Sequence, residues 1–244
     1  MTEVSGDGLR CMSTRTTLEL LFLHALPLDG SMWAGQMEIL PGLAHMPTLY
    51  GLGDSVGDWA RAVLNPLRSD RLVVIGCSVG GSCAIEAAIA APERIAALVL
   101  IGTKARYYPD PELHAGALQT LRDDGLEGAW PRFWAPLFSS AAGGQAREEA
   151  KRIALRQSPH DVARGVTAFH SRPSRDQFLS TFPHPVVVVT GADDRAPGET
   201  VSAAQAAQAP HGRLHVIPDC GHYVPMERPD VLNSILRELI TSMD

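Results

Sequence analysis

The stretch 72–81, LVVIGCSVGG, constrains this chain more than any other. An apolar, partly β-branched run, Leu72-Val73-Val74-Ile75, ends at Gly76-Cys77-Ser78-Val79-Gly80-Gly81. Ala84, Ile85, Ala87, Ala88 and Ile89 follow in a pattern that suits a buried helix. A strand, a sharp glycine-flanked turn with serine at its apex, then a helix is the context that gives G-x-S-x-G a meaning. The glycines fit because the apex turn is strained and side chains two residues to either side would meet the neighbouring strand or helix. Two readings stay open at this point: a turn that presents a reactive hydroxyl above the sheet edge, or a tight strand-to-helix turn that binds a phosphate. The stretch lacks both the Lys-Ser/Thr ending of a P-loop and a G-x-G-x-x-G.

Composition narrows the field. The 244 residues make one large domain, or one domain plus an insertion, and 45% hydrophobic content is enough for a full core. A formal net charge of −6 argues against nucleic acid as a partner. The first ten residues, MTEVSGDGLR, are polar, and no apolar run approaches the ~18 residues of a membrane span, so a cytoplasmic protein with no membrane contact is expected. Cys11, Cys77, Cys83 and Cys220 show no C-x-x-C spacing, so no metal site is expected, and they read as small buried hydrophobes.

Along the chain, residues 1–16 suggest a loose arm or a short edge strand. Residues 17–24 read as a buried strand and 25–30 as a breaker-rich loop. Ser31 is placed to cap a helix carrying Trp33, Met37 and Leu40 on one face. A short strand is expected over 47–52, then a helix with Val56, Trp59 and Val63, and a further apolar strand over 96–102. Strands that are apolar throughout and alternate with helices predict an α/β fold, a mostly parallel sheet flanked by helices. From 104 to 182 the rhythm changes to candidate helices near 111–123, 126–138, 144–157, 159–170 and 173–181. This stretch holds eleven Lys or Arg against nine Asp or Glu and reads as a helical lid inserted into a core of 1–103 and 183–244. Strands over 185–190 and 214–217 enclose a helix over 199–208, and Pro229 starts a last helix with Val231, Ile235 and Leu239 towards the core.

A serine hydroxyl needs a base to take its proton and a third group to orient that base. Two post-strand loops carry such groups, Gly191-Ala192-Asp193-Asp194-Arg195-Ala196-Pro197 and Pro218-Asp219-Cys220-Gly221-His222-Tyr223, in the chain order Ser, Asp, His. With LFLHALP, GDS at 53–55, GCSVGG, PERIAALVLIGT, RPSRDQFL, PVVVVTGADDRAP and CGHYVPMERPDVL, the chain from Leu18 onward resembles the α/β-hydrolase family. The resemblance implies Ser78 as nucleophile, His222 as base and Asp194 rather than its neighbour Asp193 as the acid. It also implies an oxyanion hole made by the N–H groups of Leu26 and Val79. The family's usual His-Gly is His24-Ala25 here, and Ala25 is expected to hold an ordinary φ.

Similarity is greatest to small carboxylesterases and lactonases, including enol-lactone hydrolases and pimeloyl-carrier-protein methyl ester esterase. It implies hydrolysis of a small-molecule carboxylic ester or lactone, or of an acyl group on a carrier protein, without any cofactor. A cofactor-free perhydrolase or haloperoxidase, a C–C bond hydrolase on the same residues, and a ligand receptor with little turnover are the alternatives. Serine at the apex sets the chain apart from haloalkane dehalogenases and epoxide hydrolases, which carry aspartate there. Aromatic side chains of the lid and nearby loops, Trp134, Trp33 and Tyr223 among them, are expected to bind substrate.

Overall fold

The computed structural model describes residues 17–243; the arm expected over 1–16, and Cys11 with it, lie outside the described residues. Six parallel strands form one sheet: β1 (Glu19–Leu23), β2 (Ala44–His45), β3 (Leu72–Cys77), β4 (Ile95–Ile101), β5 (Val186–Gly191) and β6 (Gly212–Ile217), in the order β2-β1-β3-β4-β5-β6. One register row runs from His45 through Leu21, Val74, Leu98 and Val186 to Gly212. β3 and β5 are buried at every residue, as covered parallel strands must be, whereas edge strand β6 is only partly buried. The chain leaves β1 outward to β2 and returns on the other side of β1 as β3. That reversal opens a crevice beyond the C-terminal ends of β1 and β3, where ligands of open α/β sheets sit.

Helices flank the sheet. α1 (Val56–Leu64) starts at Ser55, whose hydroxyl accepts from the Asp58 N–H (3.1 Å), and packs on α2 (Val79–Ala90). Between β4 and β5 lie α3 (Pro111–Ala129), α4 (Gly144–Leu155), α5 (Pro159–His170) and the short α6 (Asp176–Leu179). α3 bends at Gly125 and passes into a widened turn, Trp130–Trp134, so the separate helix expected over 126–138 is a continuation. α7 (Glu199–Gln208), α8 (Val224–Glu227) and α9 (Pro229–Thr241) complete the fold. No helix among the described residues is long and apolar enough to cross a membrane.

Three local expectations need correction. Residues 47–52 form a loop, because the Leu49 N–H bonds to His24 Nε2 (2.8 Å) instead of a strand, and the pairing with β1 falls at Ala44–His45. Asp29, not Ser31, caps the next turn, which is a 3-10 helix (Gly30–Gln36); its tighter period buries Trp33 and leaves Met37 exposed. In α9 the buried stripe is Leu232, Ile235, Leu236 and Leu239, and Val231 is 41% exposed.

These burials set a stability contrast. Leu98→Ala, in the middle of the register row, lowers the unfolding free energy by about 2–5 kcal/mol. Val231→Ala changes it by less than about 0.5 kcal/mol. Urea unfolding of the two variants checks this, and equal losses would place Val231 in the core.

Candidate active site

The turn after β3 is built by close approach. Ser78 stands at φ 55°, ψ −118°, one of two positive-φ non-glycine residues among those described. Its N–H donates to Ile101 O (2.8 Å), and its carbonyl accepts from Gly81 N (3.0 Å), Ser82 N (3.3 Å) and the Thr103 hydroxyl (3.1 Å). A Cβ at Gly80 would lie 2.1 Å from the Leu23 carbonyl oxygen, so only glycine lets α2 start this close to β1. The sequence marks Ser78, Gly80 and the strand; Thr103, which braces the turn from the end of β4, ends the PERIAALVLIGT stretch, but nothing in that stretch shows that its hydroxyl bonds to Ser78.

The other two polar groups meet behind it. His222 Nδ1 lies 3.0 Å from Asp194 Oδ2, and both residues are buried. Asp194 Oδ1 accepts from the Ala196 N–H (2.8 Å), which fixes the carboxylate's rotation. Asp193 turns the opposite way, exposed, and accepts from the Ser139 hydroxyl. Gly102, at φ 54°, makes room for the pair: a Cβ there would lie 2.8 Å from His222 Nδ1 and 3.2 Å from Asp194 Oδ2. Sequence reasoning missed Gly102, and it missed Glu227. The buried Glu227 carboxylate accepts from the N–H groups of Ser139 (3.0 Å), Gly221 (3.0 Å) and Tyr223 (3.1 Å) and so holds the His222 loop from below.

The loop after β1 is equally fixed. His24 Nε2 accepts from Leu49 N–H, which places the ring proton on Nδ1, 3.1 Å from the Ala25 carbonyl. Burial, against the weaker pull of that carbonyl and of Asp29, lowers the His24 pKa to about 4. Ala25 is not among the positive-φ residues. The Tyr223 hydroxyl donates to the Leu26 carbonyl (3.0 Å), tying this loop to the His222 loop. Among the described residues nothing accepts from the Leu26 N–H or from the Val79 N–H at the start of α2. Beyond Leu26, Asp29 accepts from Arg156 (2.8 Å), Gln157 (2.7 Å) and the Ser31 N–H (2.9 Å). Burial raises its pKa, but these hydrogen bonds outweigh that and bring it down to about 2.

Ser78, His222 and Leu26 face one cavity of about 190 Å³, which residues of the helical stretch wall on the far side. Trp134 lines it, with Phe133, Leu113 from α3 and Val166, Phe169 and His170 from α5. No Lys, Arg, Asp or Glu is among the lining residues. Trp33 and Tyr223 do not reach it, which corrects their expected contact with substrate. Trp33 is fully buried against Phe22 (ring centroids 5.1 Å), and Tyr223 is fully buried with its hydroxyl spent on Leu26. Cys77, Cys83 and Cys220 are buried free thiols whose pKa values burial pushes up, so they stay protonated and inert.

A profile described as the alpha/beta hydrolase family matches residues 20–235. A pimeloyl-[acyl-carrier protein] methyl ester esterase of Aromatoleum aromaticum is 27% identical, over 91% of this chain and 98% of its own length. A 2-hydroxymuconate semialdehyde hydrolase of a Pseudomonas species is 23% identical, over 92% of this chain and 87% of its own. A thermophilic esterase from Thermogutta terrifontis, solved with malate bound, superposes with a TM-score of 0.85 at 27% identity, covering 93% of this chain and 90% of that one.

His24 gives the site a pH signature. Its pKa falls from 6.5 to about 4 on folding, so the unfolded chain binds a proton that the folded one refuses. The His24 contribution to stability is therefore complete above about pH 6.5 and declines as pH falls towards 4, by about 2 kcal/mol at about pH 5. Urea unfolding at the two pH values should show this loss in the wild type and a smaller one in His24→Asn; identical losses would contradict the buried, neutral ring.

Proposed function

The chain belongs to the alpha/beta hydrolase family, and from that premise we propose that it is a serine hydrolase cleaving a carboxylic ester or lactone through an acyl-enzyme on Ser78. The observation that carries the reading is the buried Asp194–His222 pair opening, with Ser78, on one apolar cavity. His222 Nε2 takes the Ser78 proton as Oγ attacks the substrate carbonyl. Asp194 keeps the Nδ1 proton in place and stabilises the imidazolium that forms. The tetrahedral oxyanion is held by the two unengaged N–H groups, Leu26 and Val79, which cost no reorganisation when charge develops. His222 then protonates the leaving alcohol, and a water activated by the same imidazole releases the acid and restores Ser78.

Residues 104–182 act as the lid. They supply Trp134, Phe133, Leu113, Val166, Phe169 and His170 to the cavity wall, so they set the acyl group that fits. A cavity of about 190 Å³ suits a short chain or a small ring. A carboxylate on the acyl group would meet no cation in the lining, and an unpaired buried charge is costly, so the substrate is uncharged there.

Ser78→Ala should lower kcat/KM for a short-chain aryl ester by about a thousandfold or more, with circular dichroism unchanged. Asp194→Asn should lower it by roughly a hundred- to ten-thousandfold. Asp193→Asn, whose carboxylate faces Ser139, should stay within about threefold. Full activity in Ser78→Ala would end the reading, and equal effects at 193 and 194 would overturn the assigned acid.

A further inference from the structure

Apart from Ser78, His222 and the indole N–H of Trp134, the cavity lining holds one further polar side chain, which the chemistry above does not use. That side chain is His170, at the C-terminal end of α5. Its ring is well fixed. The imidazole of His114, from α3, stacks on it at 4.8 Å between centroids and 5° between planes, and Phe169 meets it edge-on at 5.2 Å. The backbone behind it is held by the Tyr107 hydroxyl, which donates to the His170 carbonyl (2.7 Å). A ring packed this closely costs little further entropy when a ligand pairs with it.

Neither ring nitrogen of His170 has a hydrogen-bond partner among the described residues, and Nδ1 is buried. Burial first, then His114 and Arg172, lowers its pKa to about 4, so the ring is neutral near pH 7 and carries one proton. A buried N–H with no acceptor is the rarer and costlier orphan, which leaves Nδ1 as the bare lone pair and puts the proton on Nε2. Nε2 is then a donor that nothing in the chain engages, on a side chain that lines the cavity.

We infer that His170 is a specificity-determining residue whose Nε2–H donates to a second, neutral oxygen of the substrate. That oxygen is a keto or amide carbonyl on the acyl chain, away from the carbonyl that Ser78 attacks. The inference deepens the ester or lactone reading by naming the substrate class: acyl groups with an uncharged oxygen acceptor set among apolar atoms. A plain alkyl acyl group leaves the Nε2–H desolvated and unmatched. A carboxylate could accept from it but would be stranded among Leu113, Val166 and Phe169.

The test measures binding without turnover. In Ser78→Ala, the dissociation constants of ethyl butanoate, ethyl 3-oxobutanoate and monoethyl succinate are compared by NMR titration. They are measured again in Ser78→Ala/His170→Phe, where phenylalanine keeps the ring that His114 and Phe169 pack against. The 3-oxo ester should bind at least about fivefold tighter than the plain ester in the first protein, the worth of a typical net hydrogen bond. The ratio should fall to about one in the second, and His170→Gln, which keeps an N–H, should restore part of it. Equal or immeasurable binding of the two esters, an unchanged ratio in the phenylalanine variant, or tightest binding of monoethyl succinate would overturn the inference. Because no step requires hydrolysis, an inactive wild type that still shows the preference would refute the serine-hydrolase reading alone.

Discussion

A serine held at φ 55° is the constraint on which the rest of the site depends. A non-glycine residue in that region costs on the order of 1–3 kcal/mol and persists only where its surroundings over-determine it. Here they do. The Ser78 backbone is clamped to β4 through Ile101 and to the end of that strand through Thr103, while its carbonyl starts α2. Relaxing the turn would break these bonds together. The gain is directional: the hydroxyl faces the cavity and the Val79 N–H is left without a partner. The neighbouring strand solves the same problem differently, with His24 and Tyr223 fixing the loop that leaves the Leu26 N–H unengaged.

Charge follows a matching division of labour. The helical stretch is joined to the sheet domain by Arg156–Asp29 (2.8 Å), Arg164–Asp54 (2.6 Å) and Arg175–Glu86 (2.7 Å). The Arg164–Asp54 pair is exposed and worth about 0–1 kcal/mol, whereas Asp29 and Glu86 are mostly covered, so the other two hold the stretch more firmly. They lie outside the cavity, and none of their charges enters its wall. Inside it, the ionisable side chains are His222, against its carboxylate, and a neutral His170. Low charge at the wall is what makes the few polar atoms present decisive for which acyl group is accepted.

Much of the fold was legible because covered parallel strands leave uninterrupted apolar runs, as in β3 and β5, and because loops rich in glycine and proline mark their ends. The positions of Ser78, Asp194 and His222 were legible for the same reason: each follows such a strand. Where spacing carries no such mark, the sequence misleads. A 3-10 turn has a different period from an α-helix, so Trp33 faces Phe22 and not the cavity. Tyr223 sits next to His222 in sequence, but neighbours in a loop turn to opposite sides. Val231 falls one residue off the buried stripe of α9. Gly102, Thr103 and Glu227 lie within the matching stretches, but the close approach at Gly102 and the bonds from the other two side chains to distant backbone groups follow from no spacing. His170 ends an ordinary amphipathic helix, and only the cavity makes it notable.

The central claim, that Ser78 is a nucleophile activated by His222 and Asp194, is tested most directly by covalent labelling. The protein is treated with an alkyl fluorophosphonate and examined by intact mass and peptide mapping. The account predicts one adduct, located on Ser78 itself by fragmentation of its peptide, formed far more slowly in Asp194→Asn. An unlabelled protein, an adduct on Ser82 or another residue, or equal labelling rates in the two proteins would contradict it.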